Sequence, residues 1–101
     1  QLSQVLINLI KNAMYAVKDI TEPRISVRAH YTQNGRCEIQ VIDNGSGIPP
    51  EIMEQIFIPF FTTKENGSGI GLSLSRQIMK NHGGSIEAVS SPGSTVFTLT
   101  I

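Results

Sequence analysis

One cysteine, no tryptophan and no surplus of either charge: this 101-residue chain is first defined by what it lacks. With Cys37 alone, an internal disulfide and a cysteine-based zinc site are both excluded, and a reducing compartment fits. Eight basic and eight acidic residues cancel. No whole face is therefore charged to recruit nucleic acid or an anionic membrane, and neither is expected as a partner. Any polyanion must be held by a local site. No apolar run approaches the ~20 residues that span a bilayer, and no signal peptide is visible. The chain opens without Met in Gln-Leu-Ser-Gln-Val-Leu, already in helical pattern. That suggests one domain, residues 1–101, cut from a longer protein, with sensor, acceptor or membrane regions elsewhere. A cytoplasmic domain of a membrane-anchored sensor would fit.

What is present suits one small core, since 40% of the residues are hydrophobic. A chain of this length buries roughly 60–70% of the surface it would expose unfolded. Leu2, Val5, Leu6, Leu9, Ala13, Ala16 and Val17 recur at intervals of three and four, predicting a helix over residues 2–19, stopped by Thr21-Glu22-Pro23. Ile25, Val27, Ala29 and Tyr31 alternate with polar residues, predicting a half-buried strand. Asn34-Gly35 marks a hairpin, and Cys37, Ile39 and Val41 line the inward side of the return strand. Pro49-Pro50-Glu51 suits the start of a short helix. Residues 59–69 lack any period and read as a loop. A second helix follows with Gly71, Leu74, Ser75, Ile78, Met79 and His82 on one stripe, ended by Gly83-Gly84. Two more strands, residues 85–90 and 95–101, are joined by a type II turn at Ser91-Pro92-Gly93-Ser94. This order predicts an α/β (α+β) two-layer sandwich, with helices on one face of a mixed, mostly antiparallel sheet.

Four stretches carry chemistry. Asp43 shares its strand face with Ile39 and Val41, so its carboxylate points toward the apolar side, where a charge needs a partner. A ligand amino group could be that partner, with Gly45 and Gly47 letting a flat ring approach; alternatively Asp43 caps its own backbone in an Asp-Asn-Gly turn. Asn8 and Asn12, one turn apart, flank the apolar stripe of the first helix. Their carbonyl oxygens suit a hard cation such as Mg²⁺, or they are plain polar residues at a helix edge. Gly67-Ser68-Gly69-Ile70-Gly71 runs into the second helix, and exposed N–H groups at a helix N-terminus suit a phosphate; a flexible linker is the bland alternative. It is not a Walker loop, which requires Gly-Lys-Ser/Thr, nor a dinucleotide turn, which follows directly on a strand. Phe57-Ile58-Pro59-Phe60-Phe61-Thr62-Thr63-Lys64 combines packed rings with a polar loop, as an anchored hinge would. Lys64 either reaches a terminal phosphate or is solvated. His82 falls on the apolar stripe and is expected to be partly buried, and His30 lies in a strand with no motif around it.

In order and spacing these stretches resemble the histidine kinase catalytic domain of the GHKL ATPase superfamily. Asn8 with Leu9-Ile10-Lys11-Asn12-Ala13 looks like the N box, and Asp43-Asn44-Gly45-Ser46-Gly47-Ile48-Pro49 like the G1 box. Residues 57–64 look like the F box, and Gly67-Ser68-Gly69-Ile70-Gly71-Leu72 like the G2 box. The likeness covers essentially the whole chain, including the closing His82-Gly83-Gly84 and Gly93-Ser94-Thr95-Val96-Phe97.

The resemblance implies a Bergerat-type fold that binds ATP and Mg²⁺. Asp43 would bond the adenine amino group, Gly45 and Gly47 would let the ring approach, and Ile48 and Phe57 are further implied ATP-binding residues. Asn12 would hold Mg²⁺, and Asn8 would support the phosphate side. Gly67, Gly69 and Gly71 would wrap the phosphates and residues between Phe57 and Gly69 would form a mobile lid, with Thr62, Thr63, Lys64, Ser68, Ile70 and Leu72 also among the implied ATP-binding residues. Asn8, Asn12 and Lys64 are the implied catalytic residues. Many kinases carry a basic or aromatic residue one turn after the metal asparagine; Ala16 stands there with Tyr15 beside it, which leaves open the side chain that covers the base, and Tyr15 is counted among the implied ATP-binding residues. The implied reaction transfers the γ-phosphoryl group to a histidine of a separate dimerisation domain, upstream of a response regulator receiver domain, by positioning and charge stabilisation. Hydrolytic superfamily members carry a glutamate where Asn8 stands, and an amide is no general base. A hydrolytic module, an anti-sigma-type serine kinase and a degenerate interaction domain are the alternatives.

Overall fold

The computed structural model describes residues 1–61 and 71–101. Helix α1, Leu2–Ala16, is followed by strands β1, Ile25–Tyr31, and β2, Cys37–Asp43; then come α2, Pro50–Met53, α3, Gly71–Asn81, and strands β3, Ser85–Ser91, and β4, Ser94–Thr100. The sheet order is β1-β2-β4-β3, and all three pairs are antiparallel. The expected two-layer sandwich results: helices cover one face of the sheet.

The core lies between α1 and α3 above and β2, β4 and β3 below. Val5, Leu9 and Ala13 recur on the buried side of α1, meeting Ile78 and Met79 of α3 and Val41, Phe97, Leu99 and Ile86 of the sheet. Leu9, Met79, Leu99, Val5 and Val41 are fully buried. Each such side chain stabilises the fold by roughly 1.5–3 kcal/mol relative to exposure.

Two ends are tighter than periodicity suggests. The first helix stops at Ala16, three residues short of expectation, because the Lys18 and Ile20 N–H groups bond Tyr15 and Val17 and tighten the last turn. At the end of α3 the Gly84 N–H reaches the Met79 carbonyl and the Gly83 N–H the Lys80 carbonyl, with Gly83 at φ 74°. This is the double-bonded glycine stop that satisfies orphan carbonyls. It places His82 just past the helix, and His82 is exposed, not partly buried as the apolar stripe suggested.

Strand β1 also departs from expectation. Every residue from Ile25 to Tyr31 is exposed, so this is not a half-buried strand. Its alternation is real, and Val27 lies opposite buried Val41. However, β1 is an edge strand, and the helical layer sits over β2 and β3 and barely reaches it. His30, on the outer face, pairs with Glu38 across the ladder at 2.9 Å.

Candidate nucleotide site

The site grows from the end of β2. Alternation carries Asp43 to the same side as Val41, and the residue is 4% exposed. Its Oδ1 accepts the Gly45 N–H at 2.9 Å. Asp43 therefore does cap its own backbone, but with one oxygen only. Oδ2 takes no hydrogen bond among the described residues, and no wholly buried side-chain oxygen there lacks one, so Oδ2 reaches the residual opening. Burial pushes the Asp43 carboxyl above its ordinary range, and the Gly45 N–H pulls it back in part. An acid so placed favours a donor on its free oxygen.

The glycines beside it serve packing as well as access. A side chain on Gly45 would meet the Ala16 carbonyl oxygen at 2.6 Å and Asp43 Oδ1 at 2.9 Å. Gly47 takes φ 92°, and a side chain there would sit 2.6 Å from the Ser91 carbonyl oxygen. The end of α1 and this loop are thus pressed together at glycine. Ile48 donates its N–H to Ser90 Oγ at 2.7 Å, and Ser90 Oγ lies 2.7 Å from Thr95 Oγ1, tying the loop to the sheet. Asn44 points the other way: it accepts the Arg24 N–H at 2.7 Å and donates to the Glu22 carbonyl at 2.8 Å. Within Asp43-Asn44, one side chain faces the site and the other braces the turn before β1.

Helix α1 forms the next wall. Asn8, Asn12 and Tyr15 follow one another along one side, each partly buried. Lys18 lays its Nζ 4.0 Å from the centre of the Tyr15 ring. At the opposite end Asn8 donates to the Gly71 carbonyl and to Ser75 Oγ, both at 3.2 Å. The line from Asp43 through Gly45, Ala16, Tyr15 and Asn12 to Asn8 and Gly71 is continuous. Leu72 follows in the first turn of α3 and packs against the core.

After α2, Phe57 and Phe61 pack against the core, and the Arg76 guanidinium stands 5.3 Å from the Phe57 ring centre. Phe60 does not join them. It is 77% exposed at φ 69°, so two of the three rings anchor the segment and the third is turned outward by a left-handed backbone. Thr62, Thr63, Lys64, Gly67, Ser68, Gly69 and Ile70 lie outside the described residues.

Gln4 and Ser75 join the site without having been singled out for it. Gln4 donates to Asn8 Oδ1 at 3.1 Å, and buried Ser75 donates to the Gly71 carbonyl at 2.8 Å. The spacing of Gln4 from Asn8, one turn upstream, was the available signal. Ser75 on an apolar stripe gave none.

Comparison with known proteins decides the family. The profile described as "Histidine kinase-, DNA gyrase B-, and HSP90-like ATPase" matches residues 1–101. The chain belongs to this family. DctB, the C4-dicarboxylate transport sensor protein of Rhizobium meliloti, is 42% identical over 101 residues, covering 100% of this chain and 16% of that protein. The sensor histidine kinase ZraS of Salmonella typhimurium is 43% identical over 100 residues, covering 98% of this chain and 21% of its own. The chain thus spans about a fifth or less of these two curated relatives. Among solved structures, the catalytic domain of histidine kinase ThkA superposes with a TM-score of 0.82 at 37% identity, over 97% of this chain and 63% of that one. The mycobacterial sensor histidine kinase MprB gives 0.84 at 26%, over 97% and 69%. The fold of this family member is that of histidine kinase catalytic domains.

Proposed function

We propose that this domain binds Mg-ATP and transfers the γ-phosphoryl group to a histidine on a separate dimerisation domain, which then passes it to a response regulator receiver domain. The observation that carries this is the buried Asp43 carboxylate, one oxygen fixed by Gly45 and the other open. It is a poor site for a free charge and a good one for the adenine amino group. From Tyr15 to Asn8 the helix advances about 10 Å at 1.5 Å per residue, enough to lead from a base to a triphosphate chain. Ile48 and Phe57 would flank the base with Tyr15, while Gly71 and Leu72 would face the phosphates. Lys64, with Thr62, Thr63, Gly67, Ser68, Gly69 and Ile70, would close over them.

The donor set fits magnesium in the way nucleotide enzymes use it. Among the described residues no group of three or more His, Cys, Asp or Glu could hold a metal alone. A single amide oxygen from Asn12, with phosphates and water, suits an ion that keeps most of its hydration. When bound, Mg²⁺ would supply neutralisation of charge on the phosphates. The chain's own residues would bind the base, orient the triphosphate and exclude water.

No described helix is long and apolar enough to cross a membrane; we place the domain on the cytoplasmic side of a sensor protein. Asn8, being an amide, leaves hydrolysis without a base at that position. Calorimetric titration of the wild-type chain with ATP and with inosine triphosphate tests the adenine assignment. The inosine ring carries a carbonyl where adenine has its amino group, so its affinity should be at least about tenfold weaker, the worth of one hydrogen bond to a charged group. Equal affinities would refute the assignment.

A further inference from the structure

Asn8 occupies the place where a base would stand, yet among the described residues its hydrogen bonds go to Gln4, Gly71 and Ser75. Its Nδ2 donates at 3.2 Å to the Gly71 carbonyl and at 3.2 Å to Ser75 Oγ. Gly71 O can only accept, and the Ser75 hydroxyl hydrogen is already directed to that same oxygen at 2.8 Å. The amide orientation is therefore determined by its surroundings: the nitrogen faces α3 and the oxygen faces back along α1, where Gln4 Nε2 donates at 3.1 Å. Both amide N–H groups are used. Ser75 is 0% exposed and the Asn8 bonds to α3 are part-buried, so the α3 side of this junction is sheltered, while the Gln4–Asn8 bond is exposed.

We propose that Asn8 is a positioning residue that fastens the first turn of α3 to α1 and so sets the gap between Asn12 and Gly71. Asn12 lies one helical turn beyond Asn8, and Gly71 opens α3. These two positions lie toward the phosphate end of the site proposed above, and the inference rests on that nucleotide reading. The fastening needs donors, not merely a polar side chain of the right size. A carboxylate at position 8 would set an acceptor against the Gly71 carbonyl, and would take the Ser75 hydroxyl hydrogen only by breaking its bond to Gly71. The same geometry explains why a base is not simply interchangeable here: a glutamate in place of Asn8 would remove the amide donor from Gly71 and Ser75, leaving Gly71 the Ser75 hydroxyl alone. It also separates the two ends of the nucleotide site. Asp43 and Gly45 are held by contacts with the end of α1, and none of their hydrogen bonds passes through Asn8.

Two ligands divide these roles. Adenosine reports the Asp43 end alone, and Mg-ATP reports both ends. With Asn8→Asp, ATP affinity measured by calorimetry should fall at least about tenfold, for one part-buried donor replaced by a repelling acceptor, while adenosine affinity stays within about twofold. Ser75→Ala keeps the Asn8 bond to Gly71 and should show the same split at smaller size. Should Asn8→Asp fail to fold, Asn8→Ala, which introduces no charge, takes its place with the same expected split. Combining Asn8→Ala with Ser75→Ala should weaken ATP binding by less than the product of the two single effects, since both act on one junction. Equal losses of ATP and adenosine would mean a general structural role and would overturn the inference, as would unchanged binding of both. Wild-type protein that binds neither ligand would overturn the nucleotide reading itself and this inference with it. Wild-type binding of both, with no split in the variants, would sink the inference alone.

Discussion

Asp43→Asn should weaken ATP binding by about 10–100-fold while making the nucleotide-free domain more stable at neutral pH. The affinity loss follows from the Gly45 contact. In the wild type, Oδ1 accepts the Gly45 N–H and Oδ2 is open. An asparagine that keeps the first bond must present its NH₂ where Oδ2 was, so a donor meets the adenine amino group. Flipping the amide restores an acceptor but sets NH₂ against the Gly45 N–H. Either way one hydrogen bond to a charged acceptor is lost, worth about 1.5–3 kcal/mol or roughly 10–150-fold.

The stability gain has the opposite origin. Burial holds the Asp43 carboxyl above its ordinary range in the folded chain. Its contribution is thus fully present below the unfolded carboxyl value of about 4 and is lost as pH rises through the folded value. Asparagine carries no such penalty. Thermal melts should show Asp43→Asn above wild type at pH 7 and level with it near pH 3. The same titration predicts that wild-type ATP affinity falls on acidification, beginning at a pH above the usual carboxylate range. A variant destabilised at pH 7 with unchanged ATP affinity would mean that Asp43 is a turn residue and nothing more.

Asn12→Ala should separate metal-dependent from metal-independent binding. Asn12 is one helical turn beyond Asn8, on the line leading to the Gly71 end of the site. With no cluster of acidic or imidazole ligands among the described residues, a single amide oxygen is a large share of what the protein can offer Mg²⁺. Loss of a group that holds or orients a metal typically costs 10–100-fold in metal affinity. Mg-ATP affinity should therefore fall at least about tenfold, and ATP affinity in excess chelator by much less. Titrations with and without magnesium decide it. Equal losses in both would move Asn12 from the metal to the triphosphate or to the fold.

The placement of several candidate residues follows from the sequence for identifiable reasons. Alternation at Ile39, Val41 and Asp43 states which face a carboxylate takes, and β2 obeys it because α1 covers that face. The same alternation in β1 was equally clear and yet misjudged its burial. Periodicity tells which side a residue is on, whereas burial depends on whether a layer lies over that side, and β1 is beyond the helices. His82 illustrates a second limit. The apolar stripe of α3 runs into it, but the glycine stop ends the helix one residue earlier, at Asn81, and leaves the side chain in solvent. The sequence offers Gly45 and Gly47 as room for a ring; in the structure the Ala16 and Ser91 carbonyls already fill the places of their missing side chains. At the junction, Gln4 and Asn8 stand one turn apart on the first helix, but the bonds from Asn8 to Gly71 and Ser75 join residues more than sixty positions apart, which periodicity does not connect.

The most direct measurement is incubation of this domain, Mg²⁺ and γ-labelled ATP with a histidine-containing dimerisation domain. Label should appear on that partner in a form lost in acid and stable in base, as phosphohistidine is, and Asp43→Asn should reduce its rate at subsaturating ATP. Acid-stable label on serine, or release of labelled phosphate with none on the partner, would contradict the assignment of histidine phosphorylation.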